Sequence, residues 1–323
     1  MGILELFRGG AGSRSPRILE RRIRDAHALT GQGRHAEAEE GLRAVVRDAR
    51  HLFGATHPVM VSARLALVSV LHAAGRFAEA EDEARAVAAT RGHLPDDALR
   101  VHVLGLAETL RSQRGGHEEA VAAYDGLLPE MTRINGPEHP WTLQLRTNRA
   151  MALAQLGGHP EAEAEALAIA ACADRLRAPG ATAPWLAASI VLAYALNGAE
   201  RHTEAESVAR GALAQAVRAA SAPGVTRMLP VLGAALARAL SGQGRHEEAL
   251  AEVTTARLYD TGVHAGDTGL TDLAAARALH GLGRAPEARA EAEKALASCT
   301  AVFGPDHHRT AEARELVASP TPA

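Results

Sequence analysis

Apolar residues recur along the chain at intervals of three and four. In VMVSARLALVSVLHAAG, Val61, Leu65 and Val68 follow this spacing, and Ala80 and Ala84 resume it after a short break. These intervals place the side chains on one face of an α-helix, whereas a half-buried strand alternates with period two. The pattern predicts successive helices joined by short turns, and strand signals are weak throughout.

A six-residue motif marks the turn within each predicted pair of helices. Its seven copies are spaced by 39 to 44 residues, and a period of this length indicates a solenoid, a propeller or an array. In most copies a glycine ends the first helix, and acidic residues fall in the first turn of the second, where the helix dipole favours negative charge. The copies are GRHAEA at 33, GRFAEA at 75, GGHEEA at 115, GGHPEA at 157, ERHTEA at 200, GRHEEA at 244 and GRAPEA at 283.

A second marker precedes the next unit in three places, as FGATHP, NGPEHP and FGPDHH. The glycine of each marker lies 16 residues after a motif alanine. Pro58 and Pro140 suit the first turn of a helix, where a missing amide proton costs nothing. His57, His139 and His307 therefore fall at predicted helix starts, where we expect capping rather than metal ligation.

With both markers in place, the array resembles tetratricopeptide repeats, particularly the kind found in kinesin light chains and many bacterial proteins. The segment NGPEHPWTLQLRTNRAMALAQLGGHPEAEAEALAI is the best single match, and the resemblance covers roughly residues 16 to 317. It implies an all-α fold, a right-handed α-solenoid of about seven helix pairs closed by a C-terminal capping helix. Residues 1–15 and 318–323 are then expected to be tails.

Composition narrows the class of protein further. Hydrophobic residues make up 47% of the chain but aromatic residues only 3%, so small side chains must fill the helix contacts. A net charge of −3 gives no general attraction to nucleic acid or to an anionic membrane. No uncharged apolar run approaches the length of a membrane span. We expect a cytoplasmic protein with neither nucleic acid nor membrane as a partner.

Three residues of rare types, one lysine and two cysteines, do not indicate a functional site. Lys294 is the only lysine, a bias that suggests a GC-rich, actinobacterial coding source. Cys172 and Cys299 are far apart and lack CxxC spacing, which favours buried thiols over a disulfide or a zinc site.

The motif histidines stand beside glutamates, which raises the question of a metal site. A zinc-binding helix needs His-Glu-x-x-His, but Val121 follows His117 and Leu250 follows His246 at that spacing. Nucleophile elbows, phosphate loops and dinucleotide fingerprints are also absent from the sequence. We therefore expect these histidines to pack the helices of a unit together, and we predict no metal, no cofactor and no catalytic residue.

The resemblance further implies that the first helices line an inner groove, where peptides or helices bind. Arg238 and Arg277 occupy the same position in successive units, so they either engage a carboxylate or phosphate together or form local salt bridges. The groove residues implied by the family's positions are His27, Ser69, His72, Asn148, Met151, Tyr194, Asn197, Arg238, Ser241, Arg277 and His280.

The sequence thus predicts a non-catalytic protein–protein interaction scaffold that binds a peptide or protein segment in its concave groove. Two alternatives stay open: a regulatory sensor of a small signalling peptide, and an accessory enzyme of a biosynthetic pathway. The sequence names neither the partner nor the oligomeric state.

Overall fold

The computed structural model describes residues 14–54, 57–90, 97–176, 182–222 and 224–319. These ranges contain fifteen α-helices and no strand, which confirms the all-α prediction. Most of the two predicted tails, residues 1–13 and 320–323, lies outside the described residues. None of the described helices is long and apolar enough to cross a membrane.

The helices form seven consecutive pairs and one terminal helix, as the motif spacing predicts. Within each pair the first helix ends just before the motif and the second begins at its third residue. The pairs are α1 Arg14–Gly31 with α2 His35–Phe53, α3 Pro58–Ala73 with α4 Phe77–Ala88, α5 Asp97–Gln113 with α6 His117–Asn135, α7 Pro140–Gln155 with α8 His159–Leu176, α9 Thr182–Gly198 with α10 His202–Arg218, α11 Met228–Gly242 with α12 His246–Arg257, and α13 Leu270–Gly281 with α14 Ala285–Phe303, followed by α15 His308–Ala318.

The turn within a pair needs a left-handed residue. Motif glycines supply it, as at Gly75 with φ +78° and Gly244 with φ +76°. The fifth unit carries Glu200 at this position, and its φ of +60° is the only positive value among the described non-glycine residues. A side chain there strains the backbone, because the left-handed region crowds Cβ against the following carbonyl oxygen.

The motif glutamates pair with arginine rather than with histidine. In the first copy Arg34 Nε donates to Glu37 Oε1 at 2.7 Å, and Arg245 makes the same 2.7 Å bond to Glu248. Arg245 also reaches back to Glu206 of the preceding unit, at 2.6 Å. The carboxylates beside the histidines therefore stabilise turns and join neighbouring units.

The motif histidines themselves are packing groups, with one difference from the sequence prediction. We expected them to join the two helices of their own unit, and His117 and His202 do bond the first helix of theirs, through Ser112 and Asn197. Three of the motif histidines also contact the first helix of the following unit. A Cβ on Gly198 would lie 2.2 Å from the His159 ring, and one on Gly281 would lie 2.2 Å from the His246 ring. Glycine on the facing helix thus makes room for imidazole between units.

The predicted helix caps are confirmed. His57 Nδ1 accepts from the Val59 amide at 3.3 Å, and His307 Nδ1 accepts from the Arg309 amide at 3.2 Å. His139 caps α7 in the same way. An imidazole can accept this bond only while that nitrogen is unprotonated.

The array also closes on itself, which the sequence did not indicate. The turns that begin α4 and α6 meet the end of α14 and the start of α15. The rings of Phe77 and Phe303 stack with centroids 5.7 Å apart, and those of His117 and His308 are also 5.7 Å apart. We call this contact of helices α3, α4, α5 and α6 with residues 263–309 the seam.

Candidate ligand-binding site

An open cavity of about 370 Å³ lies among the first helices of five units. Helices α3, α5, α7, α9 and α11 supply most of its wall, and the loop before α13 supplies the rest through His264, Gly266 and Asp267. This loop lies against α3 because the seam brings the last unit back to the second and third units. The cavity is therefore complete only because the array closes on itself.

Hydrogen bonds order one wall of this cavity. Asn148 Nδ2 donates to Thr109 Oγ1 at 2.9 Å, and Thr109 lies 2.9 Å from the hydroxyl of buried Tyr124. Burial raises the pKa of that phenol. Thr109 also donates to the Gly105 carbonyl, which anchors the chain of bonds to the α5 backbone. The network fixes an amide and a hydroxyl at the cavity surface, the groups that a peptide backbone requires.

Imidazoles and charged groups complete the lining. Burial and, to a smaller extent, the nearby Arg227 guanidinium together lower the pKa of His72 to about 4. Burial likewise lowers the pKa of His102 to about 4, and its ring stacks on Trp141 at 4.6 Å. Asp267 has a raised pKa because burial outweighs the cations around it. The cavity thus holds neutral histidines together with one half-buried carboxyl group and one arginine.

A second, smaller cavity of about 50 Å³ adjoins the first between α9, α11, α13 and α15. Arg277 lines it but is paired with Glu312, at 2.8 Å. The Arg238 guanidinium carbon lies 5.9 Å above the ring of Tyr194, with no carboxylate partner among the described residues. Of the two alternatives predicted for this pair, Arg277 therefore forms a local salt bridge, whereas the Arg238 guanidinium presents its charge to the cavity.

The predicted groove residues divide into three groups. His72 and Asn148 line the larger cavity, and Tyr194, Asn197, Arg238 and Arg277 line the smaller one. Asn197 is only 4% exposed, because its amide bonds the Ala235 carbonyl and the His202 ring. The remaining five line neither of the two cavities. They are His27 and Ser69, both exposed, the half-buried Ser241 and His280, and Met151, which packs against a core cluster between units.

Sequence reasoning missed Thr109, Gln144, Arg227, His264 and Asp267, all of which line the larger cavity. Two of them, His264 and Asp267, belong to the loop that reaches the cavity across the seam. One signal was available: the loop before α11, with Arg227, and the loop before α13 both lack the Gly-x-x-His-Pro marker. In the described ranges no group of three or more His, Cys, Asp or Glu side chains is arranged to hold a metal ion.

Comparisons with known proteins agree with this architecture. Models of the tetratricopeptide repeat match residues 97–171, and residues 26–59 and 274–309. No curated protein matches the sequence.

Solved structures share the fold at low identity. A tetratricopeptide repeat protein from Parabacteroides merdae is 17% identical, with a TM-score of 0.55 over 93% of this chain and 99% of that one. Rap protein complexed with competence and sporulation factor is 10% identical, with a TM-score of 0.56 over 93% and 97%.

NprR in complex with its cognate peptide NprX is 12% identical, with a TM-score of 0.59 over 93% of this chain and 82% of that one. At these identities the structures report the fold alone. The repeat models and the seven helix pairs together show that this chain contains tetratricopeptide repeats.

Proposed function

We propose that the protein is a non-catalytic scaffold that binds a peptide or protein segment on the inner face of its solenoid. One observation carries the proposal: the larger cavity presents hydrogen-bonding side chains, including Asn148 and Gln144, beside apolar ones such as Leu106 and Val231. Ordered amides and hydroxyls suit a peptide backbone, whose own groups must be paired once they leave water. NprR, a structural neighbour, holds a peptide in its solved complex, which supports the same ligand class.

Site-specific photo-crosslinking tests this proposal. A photoreactive residue replaces Gln144, which is exposed in the cavity, or Leu167, which is 50% exposed on α8 away from both cavities. In the native cytoplasm we expect peptide or protein adducts from position 144 and few from position 167. Adducts from position 167 alone, or none from either, would refute binding on the inner face. The cytoplasmic location is itself a prediction from the sequence.

A regulatory peptide sensor is a second candidate, because the cavity wall includes groups from both sides of the seam. A ligand that contacts both His72 and His264 would stabilise closure, and ligand binding would then change the shape of the solenoid. Small-angle scattering with and without a bound peptide separates the two candidates: a smaller radius of gyration indicates a sensor, and an unchanged one a static scaffold.

A further inference from the structure

Two ionic groups of opposite sign line the larger cavity without a partner. Asp267, in the loop before α13, and Arg227, just before α11, both border the cavity. Across the described ranges of the chain, neither side chain has a hydrogen bond or an ion pair. By contrast, most arginines in the described ranges are paired with a carboxylate, as Arg34, Arg245 and Arg277 are.

The carboxyl group of Asp267 is poorly compensated. Burial raises its pKa although Arg309, His264 and Arg227 all act in the opposite direction, so desolvation is the larger effect. Asp267 is half-buried, and a carboxylate partly removed from water without a direct hydrogen bond is destabilised, which a donor cation placed against it would offset. An ammonium group is such a donor.

Arg227 presents the complementary charge. Its residue is exposed, and its positive charge lowers the pKa of both His72 and His264, which places it near two cavity histidines. Those histidines are neutral at physiological pH, and Asp267 acts on Arg227 across the cavity without a direct ion pair between them in the described part of the chain. Guanidinium binds carboxylates through paired, charge-assisted hydrogen bonds.

We propose that the larger cavity binds a small zwitterion, a short peptide with free ends, whose ammonium group contacts Asp267 and whose carboxylate contacts Arg227. Asn148 and Gln144 bond the peptide groups between the two ends. The inference rests on the proposed function, since it names the ligand chemistry of the same site.

Size and charge both select this ligand. The volume of about 370 Å³ is near the lower end of the range for small-molecule sites, roughly 300–1,000 Å³, so a folded segment does not fit. A purely anionic ligand would meet the Asp267 carboxylate, and a purely cationic one would meet Arg227. A ligand with one charge of each sign at opposite ends satisfies both.

Affinity selection with defined peptide mixtures tests the ligand on the unmodified protein. Three random tripeptide mixtures are used, one with free ends, one N-acetylated and one C-amidated, beside a mixture of free amino acids. We expect retention from the free-ended tripeptides and at least about tenfold less from either blocked mixture, because each block removes one charge-assisted contact. Retention of the amino acids alone would overturn the assignment of a peptide to this cavity.

Variants then assign the contacts to residues. Asp267→Asn and Arg227→Gln keep the side-chain shape and should each reduce retention at least about tenfold. Asp306→Asn and Arg133→Gln, both exposed and outside this cavity, serve as matched controls and should retain peptides as the wild type does. Thermal unfolding midpoints confirm that all four fold.

The outcomes separate this inference from the proposed function. Equal retention of free-ended and blocked tripeptides, or of the wild type and the two cavity variants, overturns the assignment to Asp267 and Arg227. Retention of none of the four mixtures overturns it as well. If adducts still form at Gln144, the scaffold proposal stands alone. If free-ended peptides bind but no segment cross-links at Gln144, the scaffold fails and the zwitterion site stands.

Discussion

Acid should weaken the seam, and His308 is the residue through which to measure it. Its ring lies between His307, at 4.2 Å, and His117, at 5.7 Å between centroids. Both ring nitrogens of His308 are buried without a hydrogen-bond partner. The charged groups nearest to it, Arg309 and Arg238, are cations. A proton on this ring would therefore be a buried charge facing other positive groups.

The magnitude follows from the two protonation states. Burial, and then the neighbouring cationic groups, lower the pKa of His308 to about 2, from 6.5 for an exposed histidine. The closed form keeps its full stability above pH 6.5 and loses it progressively as the pH falls from there towards 2, because only the opened form takes up the proton. At about pH 5 the contribution of His308 is a loss of about 2 kcal/mol. His307, whose pKa is lowered to about 4, adds to the same trend, and its protonation also removes the α15 cap.

The substitution His308→Phe isolates this contribution. Phenylalanine keeps a ring against His307 and His117 but cannot bind a proton, and it removes two unpaired polar atoms. We expect the variant to match or exceed the wild type at about pH 7.5, because replacing an unsatisfied polar group by an apolar one of similar shape is neutral or stabilising. At about pH 5 it should exceed the wild type by about 2 kcal/mol more than at neutral pH.

Urea unfolding followed by helical circular dichroism at both pH values gives the free energies of unfolding. His51→Phe, at an exposed position on α2, is the matched control and should lose as much stability as the wild type on acidification. A pair of spin labels at Ala78 and Asp306, on opposite sides of the seam, reports opening directly. If His308→Phe loses as much stability as the wild type between the two pH values, the reasoning is wrong.

Backbone substitutions provide three further predictions, each measured as a free energy of unfolding. Glu200→Gly should raise the free energy of unfolding by about 0.5–1 kcal/mol, because it relieves the strain of a left-handed non-glycine residue. The reciprocal change Gly244→Glu should lower it, and the strain argument is wrong if both substitutions change the stability in the same direction. Gly233→Ala should cost about 1–3 kcal/mol, because its Cβ would lie 2.6 Å from that of Ala256 on α12. Gly126→Ala, in the exposed middle of α6 with no atom within 4 Å of the new methyl, should instead stabilise by about 0.5–1 kcal/mol, and a loss there would contradict the helix-propensity argument.

Sequence pattern and structure agree best where the interaction is local. The helix pairs, their turns and the histidine caps depend on residues within one or two helical turns of each other, and the motif spacing is sufficient to place them. The motif alanines are buried as their spacing predicts, Ala38 and Ala205 at 0% exposure. Even the departure at Glu200 was visible as a missing glycine, although only the backbone showed that glutamate adopts the glycine conformation.

The candidate site was predictable only in part. Family positions identified His72, Asn148 and the residues of the smaller cavity, because these lie on first helices at fixed offsets from the motif. Arg277 shows the limit of that argument: its position is equivalent to that of Arg238, yet the terminal helix supplies Glu312 and neutralises it. Equivalent positions in a repeat have different neighbours near the end of the array.

The sequence by itself determined a tetratricopeptide-type array of seven helix pairs, since each unit is a local pattern that packs on its neighbours. Only the tertiary structure decided that Phe77 meets Phe303, that Asp267 and Arg227 line one cavity, and that His308 is buried among cations. The physical reason is that closure depends on the sum of small rotations between successive units, and no single unit encodes that sum.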